Sequence, residues 1–178
     1  AQSRSSRALA AADETDDDPV VLGAAPRTVV LGDLHLVRET PRALIADLTQ
    51  LLADHAGARV VVAGDLLDLS ADHPGRERDL ALREALGSLP EVRRALAEHV
   101  DREGELWLIG GNHDAAVGAP EQTRTLVEAL GLRGPAAARV RATPWFFREG
   151  GLHLEHGHLF DPDNATSHPL VAGVRSLG

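Results

Sequence analysis

Short apolar runs alternate with longer amphipathic stretches from residue 27 onward. Three of the short runs have the continuity of strands that are buried on both faces. They lie at residues 27–31, 59–63 and 105–109. Four longer stretches carry apolar residues at helical spacing, and these lie at residues 41–54, 76–86, 90–100 and 120–130. This alternation of strand and helix predicts an α/β protein with a mixed sheet.

The ends of the predicted elements carry signals of their own. Thr40 is predicted to cap the first helix, with Pro41 at its first position. Residues 140–155 predict a β-hairpin instead, because aromatic residues precede a Gly-Gly turn and the residues after it alternate with period two. The same alternation places His153 at the surface.

The composition excludes several kinds of chemistry. The 178 residues contain no cysteine and no lysine, which excludes disulfides, zinc fingers, thiol nucleophiles and Walker-type or Schiff-base lysines. The formal net charge is −9, whereas a protein that coats nucleic acid needs a basic face. No nucleic-acid partner is therefore expected, and bound divalent cations would offset part of the negative charge.

The two ends of the sequence carry separate expectations. Residues 1–18 are rich in Ser and Ala and then acidic, which is typical of a disordered tail or of an acidic interaction arm. Residues 19–178 are expected to form the domain. The chain starts at Ala1, lacks methionine, and has neither a signal peptide nor an apolar run of bilayer length. We expect a cytoplasmic piece of a longer product, whose other parts could include a membrane anchor.

Polar residues that can bind metals follow each predicted strand and the hairpin. They are Asp33 and His35 after the first strand, Asp65 and Asp68 after the second, Asn112, His113 and Asp114 after the third, and His156 and His158 after the hairpin. Ligands of open α/β sheets bind outside the carboxyl ends of the strands. One rim of the sheet is therefore expected to collect these side chains.

This mixture of oxygen and imidazole ligands is typical of sites for manganese, iron or zinc. On an extended segment, the spacing of Asp33 and His35 puts both side chains on one side, where they can hold one ion. Asp65 can bridge two ions through its two oxygens, while Asn112 offers a neutral oxygen and His156 a second imidazole. Two ions about 3.5–4 Å apart activate water and clamp a phosphorus centre for in-line displacement.

Each motif alone has a structural alternative. Asp-x-His after a strand is more often a cap or a surface pair, Gly-Asp-x-x-Asp is usually a turn, and His-Gly-His is typical of a turn with exposed histidines. The occurrence of all four motifs in order, each directly after an apolar strand, favours a metal site. The other histidines lack such a context and are interpreted as ordinary; they are His55, His73, His99, His153 and His168.

Taken together, the four motifs closely resemble those of the calcineurin-like metallophosphoesterase superfamily, over roughly residues 27–165. The opening from Asp33 to Leu36 looks most like the bacterial branch that includes UDP-2,3-diacylglucosamine hydrolase. The resemblance implies a four-layer αββα sandwich with mixed sheets and a dinuclear site with two divalent ions. It also implies a hydrolase acting on a phosphomonoester, a phosphodiester or a pyrophosphate in a small substrate.

By the same resemblance, each matching residue has an implied role. Asp33 and His35 would hold the first metal, Asp65 would bridge, and Asn112 and His156 would hold the second.

The resemblance further implies a proton donor. His113 would protonate the leaving alkoxide, and Asp68 would orient it, because a carboxylate beside an imidazole fixes the tautomer. Asp114 is expected to cap a turn or to support a ligand from behind. His158 would support the site, meet a substrate phosphate, or lie at the surface.

The sequence departs from the family pattern in one respect. The family carries a final Gly-His-x-His motif that completes both metal sites, and nothing after His158 matches it. The chain is then a fragment with a fold incomplete at its C-terminus, or a missing segment or separate chain completes the site, or the site is degenerate. Weaker metal binding is expected, and Asp161 and Asn164 would shape the loop after the hairpin.

Two other functions compete with the small-substrate phosphoesterase. A non-catalytic binding module of the same fold fits a chain that has lost its last ligands. A nuclease is disfavoured by the acidic balance and by the lack of an aromatic and arginine stripe. The substrate stays open, because the arginines that could contact phosphate are equally typical of a solvated surface; they are Arg76, Arg78, Arg124 and Arg148.

Overall fold

The computed structural model of the chain describes residues 27–72, 77–161 and 163–164. The acidic tail at residues 1–18 lies outside these ranges, as do His73, Arg76 and His168. None of the helices within them combines the length and the apolar character that crossing a lipid bilayer requires.

Four strands form a parallel sheet in the order in which they occur along the chain. They are β1 (Thr28–Leu31), β2 (Arg59–Ala63), β3 (Glu105–Ile109) and β4 (Val140–Thr143). The first three confirm the strands predicted from the apolar runs. The strand β4 corrects the prediction that residues 140–155 form only a hairpin: Val140 pairs in parallel with Leu106 and is buried on the helical side of the sheet.

Six α-helices lie within the described ranges. They are α1 (Arg42–Asp54), α2 (Leu69–Asp72), α3 (Arg78–Ser88), α4 (Pro90–Asp101), α5 (Pro120–Leu130) and α6 (Gly134–Ala137). Two 3-10 turns accompany them, at Ala115–Gly118 and His158–Phe160. The helices predicted for residues 41–54, 90–100 and 120–130 are confirmed to within one residue.

The predicted cap of α1 is wrong. The hydroxyl of Thr40 accepts the backbone N–H of Val37 at 2.8 Å and closes a turn before the helix. Pro41 occupies the cap position, and its carbonyl accepts the N–H of Ile45 at 3.3 Å. A hydroxyl that is engaged in the preceding turn does not cap the helix N-terminus.

Side chains that alternate along the strands divide the core into two faces. On one face, Val60 and Leu106 are fully buried beneath the helices. On the other face, Val61 and Ile109 pack against Phe147 of a hairpin. The helices, the parallel sheet and the hairpin form successive layers of an α/β sandwich. Among the described residues the four-stranded sheet is parallel rather than mixed, and the second helical layer of the implied αββα arrangement is not seen.

The hairpin consists of β5 (Phe147–Glu149) and β6 (Leu152–Leu154), paired antiparallel. Glu149 forms an ion pair with Arg59 at the start of β2. The same guanidinium binds Glu105 of β3 at 2.6 Å, and Arg59 as a whole is only 7% exposed. Charge pairing therefore fixes the hairpin over the amino-terminal end of β2.

The carboxylate of Asp114 connects the loops that follow β2 and β3. It is 1% exposed and accepts the backbone N–H groups of Gly111 at 2.9 Å, Leu67 at 3.1 Å and Asp65 at 3.2 Å. Burial raises the pKa of Asp114 to about 6, although these three donors oppose the shift. Two loops that are distant in sequence are thereby held at a fixed separation.

We predict that Asp114→Asn lowers the free energy of unfolding by about 1–3 kcal/mol at pH 8. The substitution replaces one carboxylate oxygen with an amide NH₂, so that a backbone N–H group loses its acceptor and faces another donor. The loss should be smaller at pH 5, where the wild-type carboxyl is protonated and one of its oxygens is no longer a free acceptor. Urea unfolding followed by circular dichroism measures both values.

Asp47 is exposed in α1, and Asp47→Asn is the matched control for that substitution. We expect it to change the free energy of unfolding by less than about 0.5 kcal/mol. Equal losses in the two variants would contradict the connecting role of Asp114.

Candidate metal centre

The loops that follow β1, β2, β3 and β6 meet in one open cleft. It is lined by Asp33, His35, Asp65, Asn112, His113, His156, Gly157, His158, Asp161 and Asn164. All five side chains predicted to hold metals are in this set, together with the predicted proton donor. The convergence expected from the strand order is therefore present.

The Asp65 carboxylate lies at the centre of the cleft and is only 2% exposed. Its Oδ2 is 3.2 Å from Nε2 of His156 and 3.6 Å from Nε2 of His35, while its Oδ1 accepts the backbone N–H of His113 at 3.0 Å. Burial opposes ionisation, but the bonds from His156 and His113 outweigh it and hold the pKa of Asp65 below its usual range. The side chain is therefore a carboxylate.

The loop after β1 runs beside the loop after β2. The N–H of Asp33 donates to the Gly64 carbonyl at 3.3 Å, and the N–H of His35 donates to the Asp65 carbonyl at 2.9 Å. Nε2 of His35 lies 4.0 Å from Oδ1 of Asp33. The two side chains do approach each other, but the expected extended segment is wrong, because φ is 53° at Asp33 and 43° at His35.

Left-handed backbone is concentrated at this cleft. In the part of the chain that the structure describes, four non-glycine residues have positive φ, and three of them are Asp33, His35 and Asp65. Each such residue costs on the order of 1 kcal/mol. Strain of this kind persists where the surrounding structure enforces it and is concentrated at functional sites. The three positions are those predicted to hold the first metal.

His156 is held from both sides of its ring. Nδ1 donates to the Ala63 carbonyl at 3.0 Å, and Nε2 lies 3.0 Å from Oδ1 of Asn112 as well as close to Asp65. The hydrogen bond with Asp65 raises the pKa of His156, although burial acts in the opposite direction. Nε2 of His156 therefore faces two oxygens, and a divalent cation bound to these ligands would compete with a proton for this nitrogen.

Two glycines allow the close approach of these side chains. A Cβ at Gly64, where φ is 91°, would lie 2.3 Å from the His156 ring. A Cβ at Gly111 would lie 2.0 Å from Oδ1 of Asp65. Any side chain at Gly64 or Gly111 would therefore occupy the space of a candidate ligand.

His113 faces Asp68 at the edge of the cleft. Its Nδ1 lies 3.1 Å from Oδ1 of Asp68, and its ring meets that of His35 edge-on with 4.7 Å between centroids. Burial opposes ionisation of Asp68, but the Ser70 hydroxyl and the Ala71 N–H hold its pKa below the usual range. Ser70 carries no signal in the sequence, since a hydroxyl two residues after a carboxylate is typical of any turn.

His158 lies beside His156, with 5.1 Å between the ring centroids, and is 8% exposed. Neither of its ring nitrogens has a hydrogen-bond partner among the described residues. Burial and the neighbouring His156 lower the pKa of His158, so the ring is neutral near pH 7. Further along, Asn164 donates to Oδ2 of Asp161 at 2.6 Å, which closes a turn at the end of the cleft.

The donor atoms fit divalent ions. One triplet with ligand atoms within 4.8 Å of one another is Asp33, His35 and Asp65; another is His35, Asp68 and His113. Combined carboxylate and imidazole donors suit manganese, iron or zinc better than calcium. The first triplet matches the predicted first metal site, and the second contains the predicted proton donor.

The histidines interpreted as ordinary do not line the cleft where they are described. His99 is 2% exposed, and its Nε2 lies 3.1 Å from the Ala58 carbonyl. Its ring fills the space beside Gly104, where a Cβ would lie 2.3 Å away. His153 is exposed on the hairpin, as predicted, and lies against Phe146.

A search of curated proteins finds no match for this chain. The sequence model of the calcineurin-like phosphoesterase family matches residues 26–173, which is most of the chain and includes every residue of the cleft. The narrower likeness to the UDP-2,3-diacylglucosamine hydrolase branch stays a prediction, which is based on the segment from Asp33 to Leu36. The chain belongs to the calcineurin-like phosphoesterase family, whose members are hydrolases that cleave phosphoesters with divalent metals.

Proposed function

We propose that this chain hydrolyses a small phosphomonoester, phosphodiester or pyrophosphate substrate with two divalent ions, of manganese, iron or zinc. The observation that carries the proposal is the position of the Asp65 carboxylate. Its Oδ2 lies within 3.6 Å of Nε2 in both His35 and His156. A carboxylate oxygen that lies close to imidazoles from two different loops is suited to be shared between two cations.

The ligand sets follow from these contacts. Asp33, His35 and Asp65 would hold one ion, and Asp65 would share the other with Asn112 and His156. When bound, such ions generate hydroxide near neutral pH and polarise the phosphoryl oxygens.

Charge in the cleft explains why cations would be needed. Asp33, Asp65 and Asp68 place negative charge at or near the surface that an anionic phosphoester must approach. Two like charges 4 Å apart repel by about 4 kcal/mol near a protein surface. Cations held by Asp33 and Asp65 would turn that repulsion into attraction.

His113 would protonate the leaving oxygen. Asp68 occupies the Nδ1 side of the ring, which leaves Nε2 to carry the transferred proton. Asp68 would hold the ring in this orientation, as the buried carboxylate does for the histidine of a serine hydrolase. His158, which is neutral and buried beside His156, would support that ring or contact a phosphate oxygen.

A second candidate is a non-catalytic binding module of the same fold. It is favoured by one observation, that no Gly-His-x-His motif follows His158. In the enzyme, those ligands would come from another segment or chain; in the binding module they would be absent.

Turnover of bis(p-nitrophenyl) phosphate and of p-nitrophenyl phosphate tests the proposal. We expect activity that a chelator removes and manganese restores. No turnover by a manganese-loaded chain extended at its C-terminus would favour the binding module instead.

We predict that His156→Ala weakens manganese binding at least about 10-fold, since ligand-sphere changes have effects of this size or larger. Isothermal titration calorimetry measures the affinity. His153→Ala removes an exposed histidine from the same hairpin and should bind manganese as the wild type does. Equal affinities in the two variants would remove His156 from the ligand set.

We predict that His113→Ala lowers kcat for esters with poor leaving groups about 10²–10⁴-fold, the contribution of a positioned proton donor. Manganese affinity should change by less than about 2-fold, because His113 is outside the proposed ligand sets. Steady-state kinetics and calorimetry on the same preparation give both numbers. Undiminished kcat in this variant would remove the assignment of the proton donor.

We predict that manganese binds more weakly as the pH falls from 8 to 6. Asp65 raises the pKa of His156, so a proton competes for Nε2 through this range. Asp65 stays ionised throughout, since its own pKa is lowered. Calorimetry at pH 6, 7 and 8 measures the dependence, which should be flatter in His156→Ala. The same slope in both proteins would place the competing proton elsewhere.

A further inference from the structure

Ser70 contacts both members of the proposed acid pair. Its hydroxyl donates to Oδ1 of Asp68 at 2.8 Å and lies 3.3 Å from Nδ1 of His113. Oδ1 of Asp68 also accepts the backbone N–H of Ala71 at 2.9 Å. Hydroxyl, carboxylate and imidazole therefore form a closed triangle at the edge of the cleft.

The direction of each bond in this triangle follows from donor and acceptor counting. Ionised Asp68 can only accept, so the single hydroxyl hydrogen of Ser70 is directed to it. The lone pairs of Ser70 then face Nδ1 of His113, which has two acceptors in front of it. Hydrogen bonding thus assigns the proton to Nδ1 and leaves Nε2 as the nitrogen that exchanges a proton with a substrate.

We propose that Ser70 is a positioning residue for His113, which it holds together with Asp68 so that Nε2 faces the leaving oxygen. This inference rests on the proposed function. It assigns to Ser70 a contribution to proton transfer rather than to metal binding, because its hydroxyl contacts the imidazole and the carboxylate behind it.

The same geometry excludes Ser70 as a nucleophile. In a Ser-His-Asp relay the serine and the carboxylate contact opposite ring nitrogens, so that the imidazole can take the serine proton. Ser70 and Asp68 instead contact the same nitrogen of His113. The hydroxyl hydrogen is also directed to Asp68 and away from the imidazole.

Leaving-group dependence separates this role from a structural one. p-Nitrophenolate departs without a proton, whereas ethoxide requires one. We expect Ser70→Ala to lower kcat about 10-fold or more for ethyl phosphate and less than about 2-fold for p-nitrophenyl phosphate, as loss of assisted protonation requires. If the wild type prefers diesters, dimethyl phosphate and methyl p-nitrophenyl phosphate replace this pair.

Two further variants serve as controls. Ser70→Thr keeps a hydroxyl and should restore most of the activity on ethyl phosphate. Ser88→Ala removes a serine hydroxyl that bonds the Ala85 carbonyl in α3 and should leave both esters unaffected. Equal losses on the two esters in Ser70→Ala, or no loss on ethyl phosphate, would overturn the inference.

A second readout does not depend on activity. Long-range ¹H–¹⁵N spectra of the metal-free chain report the tautomer of His113, and we expect a single Nδ1-protonated form that becomes a mixture in Ser70→Ala. An unchanged tautomer in this variant would also overturn the inference. The two proposals can fail separately. If the wild type hydrolyses no ester with manganese, the proposed function is refuted. If Ser70→Ala still converts the single tautomer of His113 into a mixture, the orientation of His113 by Ser70 stands.

Discussion

The burial of the Asp65 carboxylate is the constraint around which the rest of the site is organised. An ionised group that is 2% exposed needs donors on every side, since an unpaired buried charge costs several kcal/mol. His156 and the backbone N–H of His113 are hydrogen-bonded to it, and Nε2 of His35 lies 3.6 Å away. Gly111 leaves room for the carboxylate, because any side chain at that position would overlap Oδ1. Candidate ligands from four separate loops are thus brought together by one acidic group.

The sheet provides the rigidity that this arrangement needs. Parallel pairing of β1, β2 and β3 sets their carboxyl ends side by side, and Asp114 connects the loops that leave two of them. The hairpin is fixed to β2 near both of that strand's ends, by Arg59 with Glu149 at one and by His156 with the Ala63 carbonyl at the other. The position of His156 therefore depends on contacts made along the whole length of a central strand.

Apolar runs and helical spacing were sufficient to predict three strands, the ends of α1, α4 and α5 to within one residue, and the residues that converge, because these depend on local pattern and strand direction. The helix α3 begins and ends two residues later than predicted, and the short helices α2 and α6 were missed. The strand β4 was missed because the segment of residues 140–143 is short and pairs in parallel with a strand more than thirty positions away. The left-handed backbone at Asp33 was missed because no residue type there requires it, and bonds to the neighbouring loop impose it. Ser70 was missed since its contact with His113 joins residues far apart in sequence. The roles assigned to the converging side chains stay predictions.

The left-handed backbone at three candidate ligands has a consequence for the stability of the chain. Glycine at Asp33 or His35 would relax the backbone by on the order of 1 kcal/mol while removing a candidate donor atom. Relaxing the backbone at these positions would therefore remove part of the candidate metal centre. Cation binding acts in the opposite direction, because any ion that prefers the folded state adds its own free energy of association to the free energy of unfolding. Divalent metal bound at these side chains would therefore raise the resistance of the chain to heat and denaturant, and the melting temperature would report the occupied fraction.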